Sequence, residues 1–340
     1  MIRDILEKLL AKTDLTSDET IWMMQQFMDG ETSNSQMAAI LIALRMKGET
    51  VDEVTACATV MREKSTKIPV QYDLLIDTCG TGGDSSGSFN ISTTVALLLA
   101  GAGYKIAKHG NRSMTSKCGS ADLLEALGIN INLKPDQVAQ CIEKAGIGFL
   151  FAPSLHASMR NVVPVRKELA VRTIFNMLGP LTNPAGANIQ TIGLYSHHLV
   201  SKIIQVLKHL GSESAFTFSG LSGLDEVCIA GDTKAARLSR NGSISEFLFN
   251  PEDYGYQKAA LDSIRGGSAS DNATITRDIL SGKTKGPKRD IVAINAGFAI
   301  AAADDSSLES GIGKAEQLLS EGVGFPVIEN LAQITQSFDK

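Results

Sequence analysis

Residues 1–70 place apolar side chains at helical spacing. Ile2, Ile5, Leu6, Leu9 and Leu10 follow a 3.6-residue period, which predicts a first amphipathic helix. A second is expected from about Ser17 to Gly30. A third is expected from about Asn34 to Lys47, with Gly48 just past its end. Thr50-Val-Asp-Glu53 reads as a capping box that opens a fourth. From Tyr72 the pattern changes. Short apolar runs at Leu74–Asp77, Lys105–Lys108, Phe149–Ala152, Thr191–Tyr195 and Ala215–Phe218 alternate with helical stretches. Such alternation predicts a mainly parallel sheet with helices on its faces. Arg237 to Phe249, centred on Asn241-Gly242, is expected to form a β-hairpin. Ala-rich helices near Asp290–Ala303 and Leu308–Glu321 close the pattern. Val162 to Pro184 is helical with no strand of its own, so it is expected to pack on the N-terminal helices.

Composition narrows the class. A chain of 340 residues, 43% hydrophobic, is long enough for about two domains and a sizeable core. No apolar run approaches the roughly 18 residues of a membrane span. The N-terminus, Met1-Ile-Arg-Asp-Ile-Leu-Glu-Lys8, lacks the apolar stretch of a signal peptide. Five scattered cysteines (Cys57, Cys79, Cys118, Cys141, Cys228) form no Cys-x-x-Cys pair. That argues for reduced thiols in the cytoplasm and against a disulfide framework or structural zinc. A formal charge of −5 argues against a nucleic-acid-binding surface.

Candidate chemistry sits in two loops. Asp77-Thr-Cys-Gly-Thr-Gly-Gly-Asp84 follows an apolar strand, and Val95 to Ala100 after it reads as a helix. Glycines let backbone N–H groups approach an anion, and a helix start adds unpaired donors and partial positive charge. The loop fits neither well-known phosphate motif. The dinucleotide fingerprint needs a glycine where Ser85 stands, and no Gly-Lys-Ser/Thr follows. The second loop, Lys105 to Ser120, holds Lys108, His109, Arg112 and Lys117, with Ser120 expected as the N-cap of the next helix. In isolation, a solvated basic loop is an equal reading. Together, two anion-friendly loops at strand ends point to a ligand with more than one phosphate. Asp225-Glu226, in a Gly-flanked loop after a strand, suits a hard cation such as Mg²⁺, although an ordinary exposed acidic pair is the commoner case. Arg166, on an apolar helical stretch, suits a carboxylate, or else pairs with Glu168 or solvent. His109 and His156 lack the partners of a nucleophilic triad, and His197-His198 reads as a solvated helix start.

Taken together, Gly80-Thr-Gly-Gly-Asp84, Asn90-Ile-Ser-Thr93, Lys108-His-Gly-Asn-Arg112, Ser116-Lys-Cys-Gly-Ser-Ala-Asp122, Pro164-Val-Arg166 and Leu224-Asp-Glu226 resemble the anthranilate phosphoribosyltransferase family. The resemblance reaches from the N-terminal helices to Lys288–Gly297 and so covers nearly the whole chain. It implies transfer of the phosphoribosyl group of 5-phosphoribosyl 1-pyrophosphate to the amino group of anthranilate, a step of tryptophan biosynthesis. The implied fold is α/β, of the nucleoside phosphorylase/phosphoribosyltransferase type. It has a small all-helical domain (1–70 plus about 162–186), expected to form a homodimer, and a larger α/β/α domain (71–161 and 187–340) with a mainly parallel sheet.

By the same resemblance the donor is held by Gly80, Gly83, Asp84, Ser88, Asn90, Ile91, Ser92, Thr93, Lys108, His109, Gly110, Asn111, Arg112, Ser113, Met114, Thr115, Ser116 and Ser120. Gly80, Asn111 and Arg166 face anthranilate. Ser92 ligates one Mg²⁺, and Asp225 and Glu226 hold another. The chain departs from the family pattern at Ser88, where Thr is more frequent, and at Ser222 and Cys228 in the acidic loop. No catalytic base is assigned. Two other readings remain open: a pyrimidine-nucleoside phosphorylase-like enzyme, and a non-enzymatic nucleic-acid-binding relative. The acidic balance, Arg166 and Asp225-Glu226 favour the transferase over both.

Overall fold

The computed structural model describes residues 1–84, 86–113 and 117–338. Four helices open the chain: α1 (Ile2–Leu10), α2 (Ser17–Asp29), α3 (Asn34–Lys47) and α4 (Val51–Glu63). Each of α2, α3 and α4 begins with a reciprocal capping box, on Thr16/Glu19, Ser33/Gln36 and Thr50/Glu53. The third box also organises the core. Glu53 accepts hydrogen bonds from the backbone of Leu15 (2.9 Å) and Thr50 (2.8 Å) and from Lys47 Nζ (2.9 Å), so one buried carboxylate ties α3, α4 and the α1–α2 turn together.

The rest of the chain is built on a seven-stranded sheet. In chain order come β1 (Ile76–Gly80), α5 (Ile91–Gly101), β2 (Ile106–Gly110), α6 (Ser120–Ala126), α7 (Pro135–Ala145), β3 (Ile147–Phe151) and α8 (Ala152–Leu155). Then follow α9 (Val163–Leu169), α10 (Phe175–Leu181), β4 (Ile189–Gly193), α11 (Val200–His209), β5 (Ser214–Gly220), β6 (Thr233–Leu238) and β7 (Ile244–Phe249). Helices α12 (Ala269–Leu280), α13 (Pro287–Ala303), α14 (Leu308–Glu321) and α15 (Phe325–Ser337) complete it. The strand order is β3-β2-β1-β4-β5-β6-β7. The first five strands run parallel, and β6–β7 is an antiparallel hairpin on the edge.

One face of the sheet packs against α5, α13 and their neighbours, through Ile76, Ile106, Ile189, Phe216 and Phe218. On the other face, Cys79, Ile192 and Ala215 share a continuous core with α11, the four N-terminal helices, α9 and α10. Helix α5 is apolar all round because it is enclosed: Val95 to Leu99 are all buried.

Several expected boundaries shift. Strands β1, β2 and β5 extend past their expected runs to Gly80, Gly110 and Gly220, because Thr78, His109 and Ser219 are buried polar residues that hydropathy reads as loop. Strands β3 and β4 start two residues earlier than expected, at Ile147 and Ile189, and end earlier, at Phe151 and Gly193. Helix α5 begins at Ile91, a turn before Val95, and α13 begins at Pro287. Ser120 is the first helical residue of α6 rather than its N-cap: Gly119 caps, and Asp122 accepts its N–H at 2.8 Å. Helix α15 lies beyond the last element expected from the pattern.

Candidate active site

The chain order β1-β2-β3 builds outward in one direction and β4-β5 in the other, so the sheet reverses between β1 and β4. A crevice opens at the carboxyl ends of strands at such a reversal, and it is where open α/β sheets bind ligands. The Gly-rich loop leaves β1 there. Thr81 donates its N–H to Gly193 O (2.8 Å) and accepts the Tyr195 N–H on its hydroxyl (3.0 Å). The loop carrying Asp225 and Glu226 lies directly over the strand ends. A Cβ on Gly193 would sit 1.6 Å from Asp225 O, and one on Gly80 would sit 2.7 Å from Asp225 Oδ2. Glycine is required at both positions by that close approach.

The acidic loop is fixed along its length. Asn295, on α13, accepts the Val227 N–H (2.9 Å) and donates to Val227 O (3.0 Å), and Cys228 N–H reaches Thr233 Oγ1 (2.9 Å). Asp225 Oδ2 accepts the Gly82 N–H at 2.8 Å. Glu226 Oε1 accepts the Ser92 N–H at 3.2 Å, taking one of the unpaired donors in the first turn of α5. Glu226 serves there because Asn90, the residue at the cap position, is turned elsewhere. Its amide receives Asn272 Nδ2 (2.9 Å) and donates to Cys118 O (3.2 Å).

Burial and the like charge of Asp84 push Asp225 up to about 7, and burial and Asp225 push Glu226 well above the usual carboxylate range. The Asp225 carboxyl also meets that of Asp84, while Glu226 Oε2 and Ser92 Oγ have no hydrogen-bond partner among the described residues. Crowded carboxylates with a free oxygen and a nearby hydroxyl fit a hard cation.

On the β2 side, Lys108 is 2% exposed, with Nζ 3.4 Å from His109 O, and its charge opposes the upward shifts of Asp77 and Glu226. The His109 ring points into the protein. Its Nδ1 is 3.2 Å from Gly179 O and its Nε2 is 3.3 Å from His156 Nε2. A carbonyl only accepts, so Nδ1 of His109 carries the proton and His156 Nε2–H donates to His109. His156 Nδ1 then stands buried without a partner. Ile91 and Thr93 are likewise buried, so of that pair only the backbone of the first turn of α5 can meet a ligand.

Ser120 Oγ bridges the backbone of Asn111, accepting its N–H (3.2 Å) and donating to its carbonyl (3.1 Å). Arg112, expected at the donor, is held by α6. It pairs with Asp122 (2.9 Å) and forks onto Glu125 (2.7 and 2.8 Å), above the Phe151 ring. Asp84 Oδ2 lies 3.5 Å from Asp225 N, and Ser88 bridges to Arg265. Met114, Thr115 and Ser116 lie outside the described residues, as does Ser85.

Arg166 sits on α9 with its guanidinium 5.7 Å from the Phe175 ring, and burial pulls its pKa below the ordinary arginine value. Its guanidinium makes no ion pair or hydrogen bond among the described residues, with Glu168 or any other group. A recessed, unpaired planar fork has the geometry to receive a carboxylate. Sequence reasoning missed Asn272, Asn295, Asp122 and Arg172 as supports of the site. Only the Asp122 capping position had a local signal.

Residues 3–65 match the glycosyl transferase family helical bundle domain and residues 72–325 its a/b domain. An anthranilate phosphoribosyltransferase of Persephonella marina is 46% identical over 99% of both chains. The chain belongs to the anthranilate phosphoribosyltransferase family. A second family member, from Ruminiclostridium cellulolyticum, is also 46% identical, over 100% of this chain and 99% of its own. The crystal structure of the Thermus thermophilus member superposes with a TM-score of 0.91 at 38% identity, covering 98% of this chain and 99% of that one. The Saccharomyces cerevisiae member, solved in complex with PRPP and Mg, superposes at 0.88 with 26% identity, covering 99% and 98%.

Proposed function

We propose that this cleft transfers the phosphoribosyl group of 5-phosphoribosyl 1-pyrophosphate to anthranilate, releasing pyrophosphate and forming N-(5-phosphoribosyl)anthranilate for tryptophan biosynthesis. The observation that carries the reading is the crowded Asp225-Glu226 pair, seated on Gly80 and Gly193 and bonded to the Gly-rich loop at Gly82 and to the start of α5 at Ser92, and the unpaired Arg166 fork supports it. The Gly80–Asp84 loop, Ser88, the α5 start at Asn90–Thr93, Lys108–Ser113 with Met114–Ser116, and Ser120 hold the donor. Arg166, with Gly80 and Asn111, orients anthranilate by its carboxylate.

The anthranilate nitrogen forms a bond to the anomeric carbon as the bond to the pyrophosphate oxygen breaks, and the amine loses a proton. Backbone N–H donors of the Gly-rich loop and the start of α5, turned to the leaving group when the donor binds, would stabilise its charge by several kcal/mol. Orienting a weak aromatic amine against the anomeric carbon contributes roughly 7 kcal/mol or more. Mg²⁺, two ions per chain, held at Ser92 and at Asp225-Glu226, would neutralise charge growing on pyrophosphate. No side-chain nucleophile is required.

The helical domain comprises 1–70 with about 162–186 and forms a homodimer. Exposed Leu10, Met46, Val163 and Val171, on α1, α3, α9 and the turn after it, supply apolar surface for that contact. No helix among the described residues is long and apolar enough to cross a membrane, and the five cysteines are free and buried, which supports a reducing cytoplasm.

The metal assignment is tested by replacing Asp225 and Glu226 together by Ala. Turnover should fall by at least about 100-fold, with a right-shifted Mg²⁺ requirement. Undiminished turnover at low Mg²⁺ would remove the acidic pair from the reaction.

A further inference from the structure

Three successive residues of the Gly-rich loop are held by three different parts of the molecule. Thr81 is pinned to the end of β4 through Gly193 O and the Tyr195 N–H. Gly82 is pinned to Asp225 Oδ2 at 2.8 Å. Gly83 is held by its carbonyl, which accepts a hydrogen bond from Arg172 Nη2. Arg172 is not part of the sheet. It lies in the turn between α9 and α10, on the side of the molecule that packs with the N-terminal helices. Its guanidinium lies over the Tyr195 ring, 4.2 Å from the centroid. Its backbone carbonyl is held from behind by Arg45 Nη1 of α3 at 2.8 Å.

The turn itself is constrained. Ala170, which ends α9, stands in the left-handed conformation at φ 50°, a conformation unusual for a residue with a Cβ. That left-handed corner stands between Arg166 and Arg172, two residues before the side chain that reaches the Gly-rich loop.

We propose that Arg172 is a positioning residue that latches the donor loop. Its fork ties Gly83 to the helical part of the chain, Tyr195 supports the fork as a flat platform, and Arg45 fixes the segment that carries it. A charge-assisted bond to a backbone carbonyl in a Gly-rich loop selects one conformation from many, because glycine loses the most freedom on ordering. A loop that is donor-ready only part of the time binds its ligand more weakly by the fraction in which it is ready. The latch therefore acts on donor affinity and leaves the chemistry at the anomeric carbon unchanged. The donor's identity rests on the proposed function; the latch does not.

The test combines Arg172→Met, which keeps the aliphatic stem, with Arg172→Lys, Tyr195→Ala and the Arg172→Met/Tyr195→Ala double variant. Hydrogen exchange of the 78–84 segment is measured first on the protein without substrates. Arg172→Met should accelerate exchange there by about 10-fold, with the rest of the chain unchanged. In turnover, Arg172→Met should raise the donor KM by about 10-fold, with kcat and the anthranilate KM within about twofold of wild type. Arg172→Lys, which keeps a charged donor, should restore most of both effects. Tyr195→Ala should act in the same direction, and the double variant should fall short of the product of the singles. Unchanged exchange at 78–84 in Arg172→Met would overturn the latch, as would accelerated exchange throughout the chain. A donor KM that rises without faster exchange would also overturn it, because Arg172 would then be a direct ligand of the donor. The exchange result stands apart from turnover, so a failure of the latch and a failure of the functional assignment are distinguishable.

Discussion

In the proposed reaction Arg166 carries the distinction between the two substrates; its guanidinium is recessed on α9 with an aromatic neighbour and no acidic one. Arg166→Ala should raise the anthranilate KM at least about 20-fold and leave the donor KM within about twofold, since a charge-assisted pair contributes about 1.5–3 kcal/mol. Steady-state kinetics with each substrate varied in turn checks this, and equal effects on both would contradict it. His109 and His156 show the opposite use of burial. Their rings pair with each other, and burial pushes them down to about 3 and about 4. Both are therefore neutral in the folded chain while the unfolded chain binds protons below about 6.5. Folding stability contributed by each neutral ring is complete above about pH 6.5 and is lost as pH falls toward 4. His156→Gln should flatten the stability–pH slope near pH 5 by about 1.4 kcal/mol per pH unit, read from urea melts. An unchanged slope would show that His156 is protonated in the native state. Ala170→Gly should stabilise the chain by about 0.5–1 kcal/mol, because glycine carries no left-handed penalty.

At the scale of elements, what the sequence showed depended on which force set the element. The expected bounds of α2 and α3 and the Thr50–Glu53 capping box that opens α4 agree with the structure, since such end signals are specified within four residues. The ends of β1 and β2 were placed short because Thr78 and His109 continue them as buried polar residues, and the polar ends are held by partners far along the chain. Asp77 accepts Asn183 Nδ2 (2.8 Å) and the His109 N–H (3.1 Å), neither inferable from spacing. The Gly-rich loop and the acidic pair were legible as motifs. Their mutual approach was not, because it needs Asp225 seated on Gly80 and Gly193. The partners of Arg112 were not legible either: the fold pairs it with Asp122 and Glu125, ten and thirteen residues on. One element-scale prediction concerns Glu53, which joins three helices through Leu15, Thr50 and Lys47. Glu53→Ala should destabilise the chain by about 3 kcal/mol or more, because it strands Lys47 and two backbone donors, and a change below about 1 kcal/mol would show that Asp14 alone satisfies the lysine.

At the scale of the molecule, the reversal of the sheet between β1 and β4 sets the candidate site, and the helical part reaches its Gly-rich loop through Arg172. In the proposed reaction the donor is held by the α/β part, and Arg166 of the helical part joins Gly80 and Asn111 in orienting the acceptor. The proposed homodimer uses the remaining apolar face of the helices, and sedimentation should show a dimer at micromolar concentration. A charged substitution at the most exposed apolar residue there, Met46→Glu (76% exposed in the single chain), should shift it to monomer.

The most direct measurement is the loss of anthranilate fluorescence on incubation with the purified chain. The account predicts a continuous decrease that requires both 5-phosphoribosyl 1-pyrophosphate and Mg²⁺, with stoichiometric release of pyrophosphate. Fluorescence that stays constant with all components present, or that falls equally when the phosphoribosyl donor is omitted, would contradict it.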